Sequence, residues 1–196
     1  MAQITGTTGN TVKVDNNSRL HVNAVTSTSN LHATEDGDAF NINTGIISLT
    51  TSTDSGVLYF KNGEERDYNI QAIAVGVNTL GTNADSTIVT LVRNPTTGTL
   101  ISDANAVDMD ENRNFGSTKQ LTNSLAYKGA EGKTVTDGND IGMFFMGAGS
   151  RLFASLDYIL PKNASMAVKL DTQTTSGTTS IYVSLIGNLV DHEDRD

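Results

Sequence analysis

The sequence predicts an all-β fold: an antiparallel β-sandwich of the jelly-roll type with an extended N-terminal arm. The first observation is composition, because 27 Thr, 19 Asn and 16 Ser stand among the 196 residues. Threonine suits the pleated surface of a strand, whereas asparagine and serine favour turns. The second observation is patterning. Short alternating or apolar segments are separated by turn residues, with no convincing helix and no repeat of fixed length.

Strand signals become dense after residue 45. The clearest predicted strands cover residues 56–61, 68–77, 87–93, 152–160 and 179–190. Residues 99–102 are predicted as a further short strand and residues 103–123 as a long loop. About eight short strands joined by polar turns are typical of a sandwich, most simply a jelly roll.

The last two predicted strands each carry three alternating apolar residues. These are Met166, Val168, Leu170, Ile181, Val183 and Leu185. Because strand side chains alternate with period two, we expect all six on one buried face. We also expect the two strands to form a hairpin with its turn near Ser176 and Gly177.

The sequence divides into an arm at residues 1–45, a sandwich domain at residues 46–190 and a charged tail at residues 191–196. Large apolar residues are sparse in the first part of the arm, which therefore lacks a core of its own. Alternating side chains suit strand addition to a partner's sheet edge. The candidate partner-binding residues are Val12, Val14, Leu20 and Val22. Deleting residues 1–30 should leave a folded domain that no longer attaches.

Charge and composition exclude several classes of function. The formal net charge is −9 and no Lys/Arg cluster is present, so neither nucleic acid nor an anionic membrane surface is an expected partner. The chain has no cysteine and no apolar run approaching the ~20 residues that span a bilayer. The N-terminus lacks the features of a secretion signal, which predicts a protein made and kept where it folds.

No catalytic arrangement is evident in the sequence. Histidines occur at positions 21, 32 and 192, outside the predicted core strands where a rigid base would be held. Asp157 lies inside a predicted strand, and we expect it on the solvent face. We therefore predict that the chain is not an enzyme, with no catalytic residue, no cofactor-binding residue and no cofactor.

A run of oxygen-bearing side chains in the long loop suggests a weak calcium site. Asp108, Asp110 and Asn112 stand at alternate positions, as in the start of a calcium loop. The similarity ends at Arg113, where an EF-hand needs glycine, and at Lys119, where it needs a bidentate glutamate. A solvated loop without metal is the favoured interpretation.

Several stretches resemble a known class of proteins. They cover residues 14–23, 35–43, 55–62, 160–165 and 185–190. Together they resemble virion structural proteins of tailed bacteriophages, of the head decoration (capsid cement) or minor structural kind. The resemblance implies a non-enzymatic protein assembled in the host cytoplasm and carried on the capsid surface. Its implied partners are the major capsid protein or other virion subunits.

Oligomerisation is expected from the strand at residues 68–77. Ile73, Val75 and Val77 alternate there with Ala72 and Ala74, so both faces of the strand need cover. We therefore expect a homo-oligomer, most simply a trimer, on the phage head.

Two other functions remain open at this stage. One is a receptor- or glycan-binding domain of a tail or head fibre, for which Phe115 and Tyr127 are the candidate loop aromatics. The other is a hydrolase built on a β-sandwich.

Overall fold

The computed structural model describes residues 4–5, 11–12, 29–50, 54–81, 86–102, 105–106, 111–173 and 176–191. Short helices occur at α1 (Ser29–Glu35) and α2 (Thr99–Ser102). The strands are β1 (Ile4–Thr5), β2 (Thr11–Val12), β3 (Ala39–Asn43), β4 (Ile47–Leu49), β5 (Ser55–Lys61), β6 (Asp67–Thr79), β7 (Thr87–Arg93), β8 (Asn105–Ala106), β9 (Leu125–Lys128), β10 (Asn139–Met146), β11 (Arg151–Leu160), β12 (Ser165–Asp171) and β13 (Thr179–Val190). Neither helix of this described part is long and apolar enough to cross a membrane.

Two antiparallel sheets pack against each other, which confirms the predicted all-β sandwich. One sheet has the order β10-β7-β12-β5-β9-β8. The other has the order β11-β6-β13-β3, and β4 also pairs with β13. A separate two-stranded ladder joins β1 to β2.

The strand pairing is nested, as if one long hairpin had been rolled up. β7 pairs with β10, β6 with β11, β5 with β12, and β3 with β13. In this rolled arrangement β12 also pairs with β7 in one sheet, and β13 also pairs with β6 in the other. This nesting supports the jelly-roll assignment, which stays a prediction.

The six apolar residues predicted to share a buried face all lie in the core between the sheets, at 0–2% exposure. The predicted hairpin is wrong, because β12 and β13 do not pair with each other. β12 belongs to the six-stranded sheet, and β13 belongs to the opposite one. The connection through Gly177, whose φ is 85°, therefore crosses between the sheets rather than turning within one.

The sandwich begins before the predicted boundary at residue 46. β3 pairs with β13, and the side chains of Phe40 and Ile42 lie in the core. Ahead of it, α1 packs Ala33 inward. Val14, Leu20 and Val22 of the predicted arm, and the charged tail after Asp191, lie outside the described residues.

The predicted strand at residues 99–102 is instead the helical turn α2. Leu100 is fully buried on Tyr59, Val92 and Ala167, which form a small second core on the outer face of the six-stranded sheet. Gly56 permits this packing, because a Cβ there would lie 2.6 Å from the Leu100 side chain. The segment at residues 99–102 is too short for its sequence to show a helical or strand periodicity. Burial of Leu100 therefore decides its conformation.

A charged cluster ties the start of β3 to the rest of the fold. The nearly buried Asp38 carboxylate accepts hydrogen bonds from Arg66 at 2.7 Å and from Lys119 at 2.9 Å. Arg66 also pairs with Asp191 at 2.7 Å. Burial alone would raise the pKa of Asp38, but the hydrogen bonds from Arg66 and Lys119 outweigh it and hold the pKa below its ordinary value.

Replacing Asp38 by asparagine should lower the free energy of unfolding by about 2 kcal/mol near neutral pH, because two charge-assisted hydrogen bonds are lost. A lowered pKa in the folded state gives stability that is present above the ordinary aspartate pKa and is lost as the pH falls through the folded value. Urea unfolding at about pH 7 and about pH 3 should therefore show the difference shrinking at acid pH. The control is Asp36→Asn, whose exposed carboxylate lies 3.5 Å from the His32 side chain. An equal effect of both variants would contradict the assignment.

Candidate binding surfaces

An exposed apolar strip runs along β10, the edge strand of the six-stranded sheet. Ile141, Met143 and Phe145 alternate on its outer face, and we call these three residues the β10 strip. Their exposures are 37%, 55% and 70% respectively. The intervening Phe144 packs against the core instead. β10 thus packs one face against the core, while the apolar side chains of its other face are exposed.

Described residues cover the middle of the same sheet face, and none of this described cover reaches the strip. α2 and the partly buried Val135 cover β5, β12 and Val92 of β7, and this cover ends before β10. Charged side chains, Pro and β-bulges protect many edge strands from pairing with other chains. β10 has Asp140 and a register shift between Asp140 and Gly142, but its residues 141–146 contain no charge and no Pro. Among the described strands β10 pairs with β7 alone, and no described strand pairs with its other edge.

A cleft of about 550 Å³ opens where the edges of the two sheets meet. Ile141 of β10 lines one side, while Ile159 and Leu160 of β11 line the other. Arg93 and Asp157 are its charged lining residues. The cleft is continuous with the β10 strip through Ile141, so the apolar surface extends around the open side of the sandwich.

A second surface, which we call the polar groove, lies on the outer face of the β11-β6-β13-β3 sheet and encloses about 600 Å³. One residue from each strand forms a single row across its floor. Strand register places Ser155 opposite Ala72, Ala72 opposite Ile186, and Ile186 opposite Asn41. Ala72 and Ser155 are the small residues of this row, and the groove lies above them and beside the partly exposed Ile186.

Arg113 forms one wall of the polar groove. Its guanidinium donates to the side-chain oxygens of Asn30 at 2.7 Å and Gln71 at 3.3 Å. Both acceptors are neutral, and the salt bridges found within the described ranges do not include Arg113. The guanidinium is therefore held in place without having its charge cancelled by a paired carboxylate.

The loop that carries Arg113 is fixed to the sheet. The Arg113 amide donates to the carbonyl of Ala39 at 2.9 Å, and a bridge joins Asn112 to Phe40. The Asn112 side chain donates to the Gly37 carbonyl at 2.7 Å and accepts the Asn114 amide at 2.9 Å. Asn112, a candidate calcium ligand in the sequence, thus anchors the loop.

Asp157 and Phe153 approach the polar groove from β11. Asp157 lies in a β-bulge between Ser155 and Tyr158, with a φ of 48°. Bulges redirect side chains, and a non-glycine residue in this region of φ is uncommon outside functional or strained positions. The Phe153 ring is 69% exposed and lines the same groove.

Two side-chain amides in the groove have unsatisfied oxygens. The Oδ1 atoms of Asn41 and Asn69 are buried and, within the described part of the chain, have no hydrogen-bond partner. Buried polar atoms are nearly always bonded to protein, water or ligand. The groove therefore contains hydrogen-bonding capacity that the surrounding fold does not use.

The other predicted site residues are dispersed. Val12 lies in β2, whereas Asp108 and Asp110 are outside the described residues, so the calcium prediction remains untested. Phe115 is fully exposed on its loop, and Tyr127 instead stacks on Tyr59 with ring centroids 5.9 Å apart. Across the described ranges, no group of three or more His, Asp or Glu side chains is placed to hold a metal ion.

The oligomer argument from β6 does not identify an exposed apolar face. Ile73, Val75 and Val77 are buried in the core, while Ala72 and Ala74 lie between flanking strands on the outer face. β10 instead carries three of the exposed large apolar residues of the described chain, while the others are spread over several elements. The sequence signal for this strip was the run of residues 143–146, which is apolar at every position.

No protein-family model, curated protein or solved structure matches the chain. The functional argument therefore rests on the two surfaces.

Proposed function

We propose that this chain is a non-enzymatic virion structural protein, a decoration (cement) protein that binds and stabilises the head of a tailed bacteriophage as a homotrimer. The β10 strip is the observation that carries the proposal. An edge strand with three exposed apolar side chains and a free hydrogen-bonding edge is an aggregation hazard unless another chain covers it. The stretches that resemble phage head proteins support the choice of partner.

Within this proposal, the β10 strip is covered by a neighbouring copy and the N-terminal arm attaches to the shell. The strip is continuous with the apolar cleft, so a neighbouring copy can cover both. Covering Met143 and Phe145 would add about 1.5–3 kcal/mol for each fully buried side chain.

Introducing a charge on the strip should dissociate the trimer. Met143→Asp/Phe145→Asp places two carboxylates where apolar burial is proposed, and we expect sedimentation velocity to show monomers at concentrations at which the unchanged chain is trimeric. Phe115→Asp is the matched control, since it alters a fully exposed phenylalanine that lies on a loop outside the strip. A wild-type monomer, or a trimer unaffected by the double substitution, would count against the strip as the interface.

Immunogold electron microscopy of parent phage particles tests the location. Antibody against the chain should label the head shell at many positions per particle. Label confined to a tail or head fibre would instead favour the receptor- or glycan-binding alternative. Purified particles without label would overturn the virion proposal.

A further inference from the structure

We propose that the polar groove is a binding site for a neutral saccharide. This inference goes beyond attachment to the phage head, because the groove and the β10 strip lie on opposite sheets. Asp157 lines both the groove and the apolar cleft, whereas Phe153 lines the groove and not the cleft. The argument rests on the side chains that the strand register brings together.

The polar groove combines an exposed aromatic ring with planar hydrogen-bonding groups. Sugar rings present an apolar face of C–H groups, which an aromatic ring can cover, and an edge of hydroxyl groups that both donate and accept hydrogen bonds. Phe153 supplies the ring. Arg113 supplies donors in a fixed orientation, and Asp157 supplies two acceptor oxygens. Adjacent hydroxyl groups suit such paired donors and acceptors.

Four side-chain amides add further hydrogen-bonding groups to the polar groove. Asn30, Asn41, Asn69 and Gln71 line the groove together. Side-chain amides both donate and accept hydrogen bonds, which suits sugar hydroxyl groups or the waters that bridge to them. No similar set of amides lines the apolar cleft, so these features distinguish the groove from a surface suited only to protein contact.

Charge selects a neutral ligand. Arg113 and Asp157 are the charged lining residues of the groove, so their charges balance. The net charge of −9 repels acidic polysaccharides at long range. A ligand with hydroxyl or N-acetyl groups and no carboxylate therefore fits best.

Saturation-transfer NMR tests the proposal with oligosaccharides of glucose, galactose, mannose and N-acetylglucosamine, alongside oligosaccharides of galacturonate. At least one neutral probe should bind and receive magnetisation on its ring C–H protons. Phe153→Ser and Asp157→Asn should each weaken that binding about tenfold in calorimetry. Asparagine is chosen because it tolerates the positive φ at this position. Phe145→Ser, on the opposite sheet, is the matched control.

The results of this saccharide-binding experiment can be distinguished from the results that test the proposed trimer. Phe145→Ser should leave saccharide binding intact even where it disturbs the trimer. The proposal is overturned if no neutral probe binds, if only the acidic probes bind, or if binding survives both groove substitutions unchanged. It is also overturned if Phe153→Ser leaves saccharide binding unchanged and instead alters assembly, since the ring would then serve a protein contact.

Discussion

Phe40→Ala should lower the free energy of unfolding by about 4 kcal/mol, the cost typical of removing a fully buried phenylalanine. Phe40 is 1% exposed and lies in the core between the sheets. Its carbonyl oxygen also accepts a hydrogen bond from the buried Tyr68 hydroxyl at 3.2 Å. The bridge to Asn112 links the same residue to the loop of the polar groove, so loosening β3 should disturb that groove as well.

Urea unfolding followed by circular dichroism measures the change, with Phe115→Ala as the control. Phe115 is fully exposed, and its removal should change the free energy of unfolding by no more than about 0.5 kcal/mol. The dependence of that free energy on urea should be similar in both variants if the transition remains two-state. A loss below about 1 kcal/mol for Phe40→Ala would show that β3 is not an integral part of the core.

Strand positions could be predicted well where apolar alternation is long and ends at strong turn residues. Thr87–Arg93 and Thr179–Val190 have the predicted limits. The former ends at Asn94, whose φ of 49° marks a turn that an asparagine tolerates. Alternation also identified which face of β12 and β13 is buried, because that information is local to each strand.

Strand partners could not be predicted in the same way. Alternation reports the buried face of a strand but not the strand beside it. The sequence therefore predicts one hairpin for β12 and β13, although they lie in opposite sheets. β3 carries only two large apolar residues, Phe40 and Ile42, and was therefore assigned to the arm. Its membership of the core depends on pairing with β13, which lies more than a hundred residues away.

The polar groove is even less visible in the sequence. Its floor joins Asn41, Ala72, Ser155 and Ile186, and only the register of four strands places them in one row. Asp157 was noted as a carboxylate within a strand, and the structure does leave it exposed. Its position at a bulge, and the nearby Phe153 ring, follow from the fold rather than from local pattern.

Two N-terminal deletions should separate attachment from folding. Removing residues 1–28 leaves α1 and β3 in place, and the shortened chain should remain a soluble β-protein with cooperative unfolding. Removing residues 1–45 also takes away β3, which leaves β13 unpaired on one edge from Ser184 to Asn188 and leaves the core without Phe40 and Ile42. The longer deletion should therefore aggregate or fail to fold, since it both opens a large cavity and exposes a sheet edge.

Attachment is measured by cosedimentation of each soluble protein with phage heads that lack it. The deletion of residues 1–28 should abolish binding, because the proposed strand addition to the shell needs the alternating residues Val12, Val14, Leu20 and Val22. Substituting these four residues by serine in the full-length chain is the matched control, and it should reduce binding without changing chain length. Undiminished binding of the shorter deletion would show that another surface attaches to the head. Aggregation of that deletion would instead show that residues 1–28 belong to the core, and it would move the domain boundary toward the N-terminus.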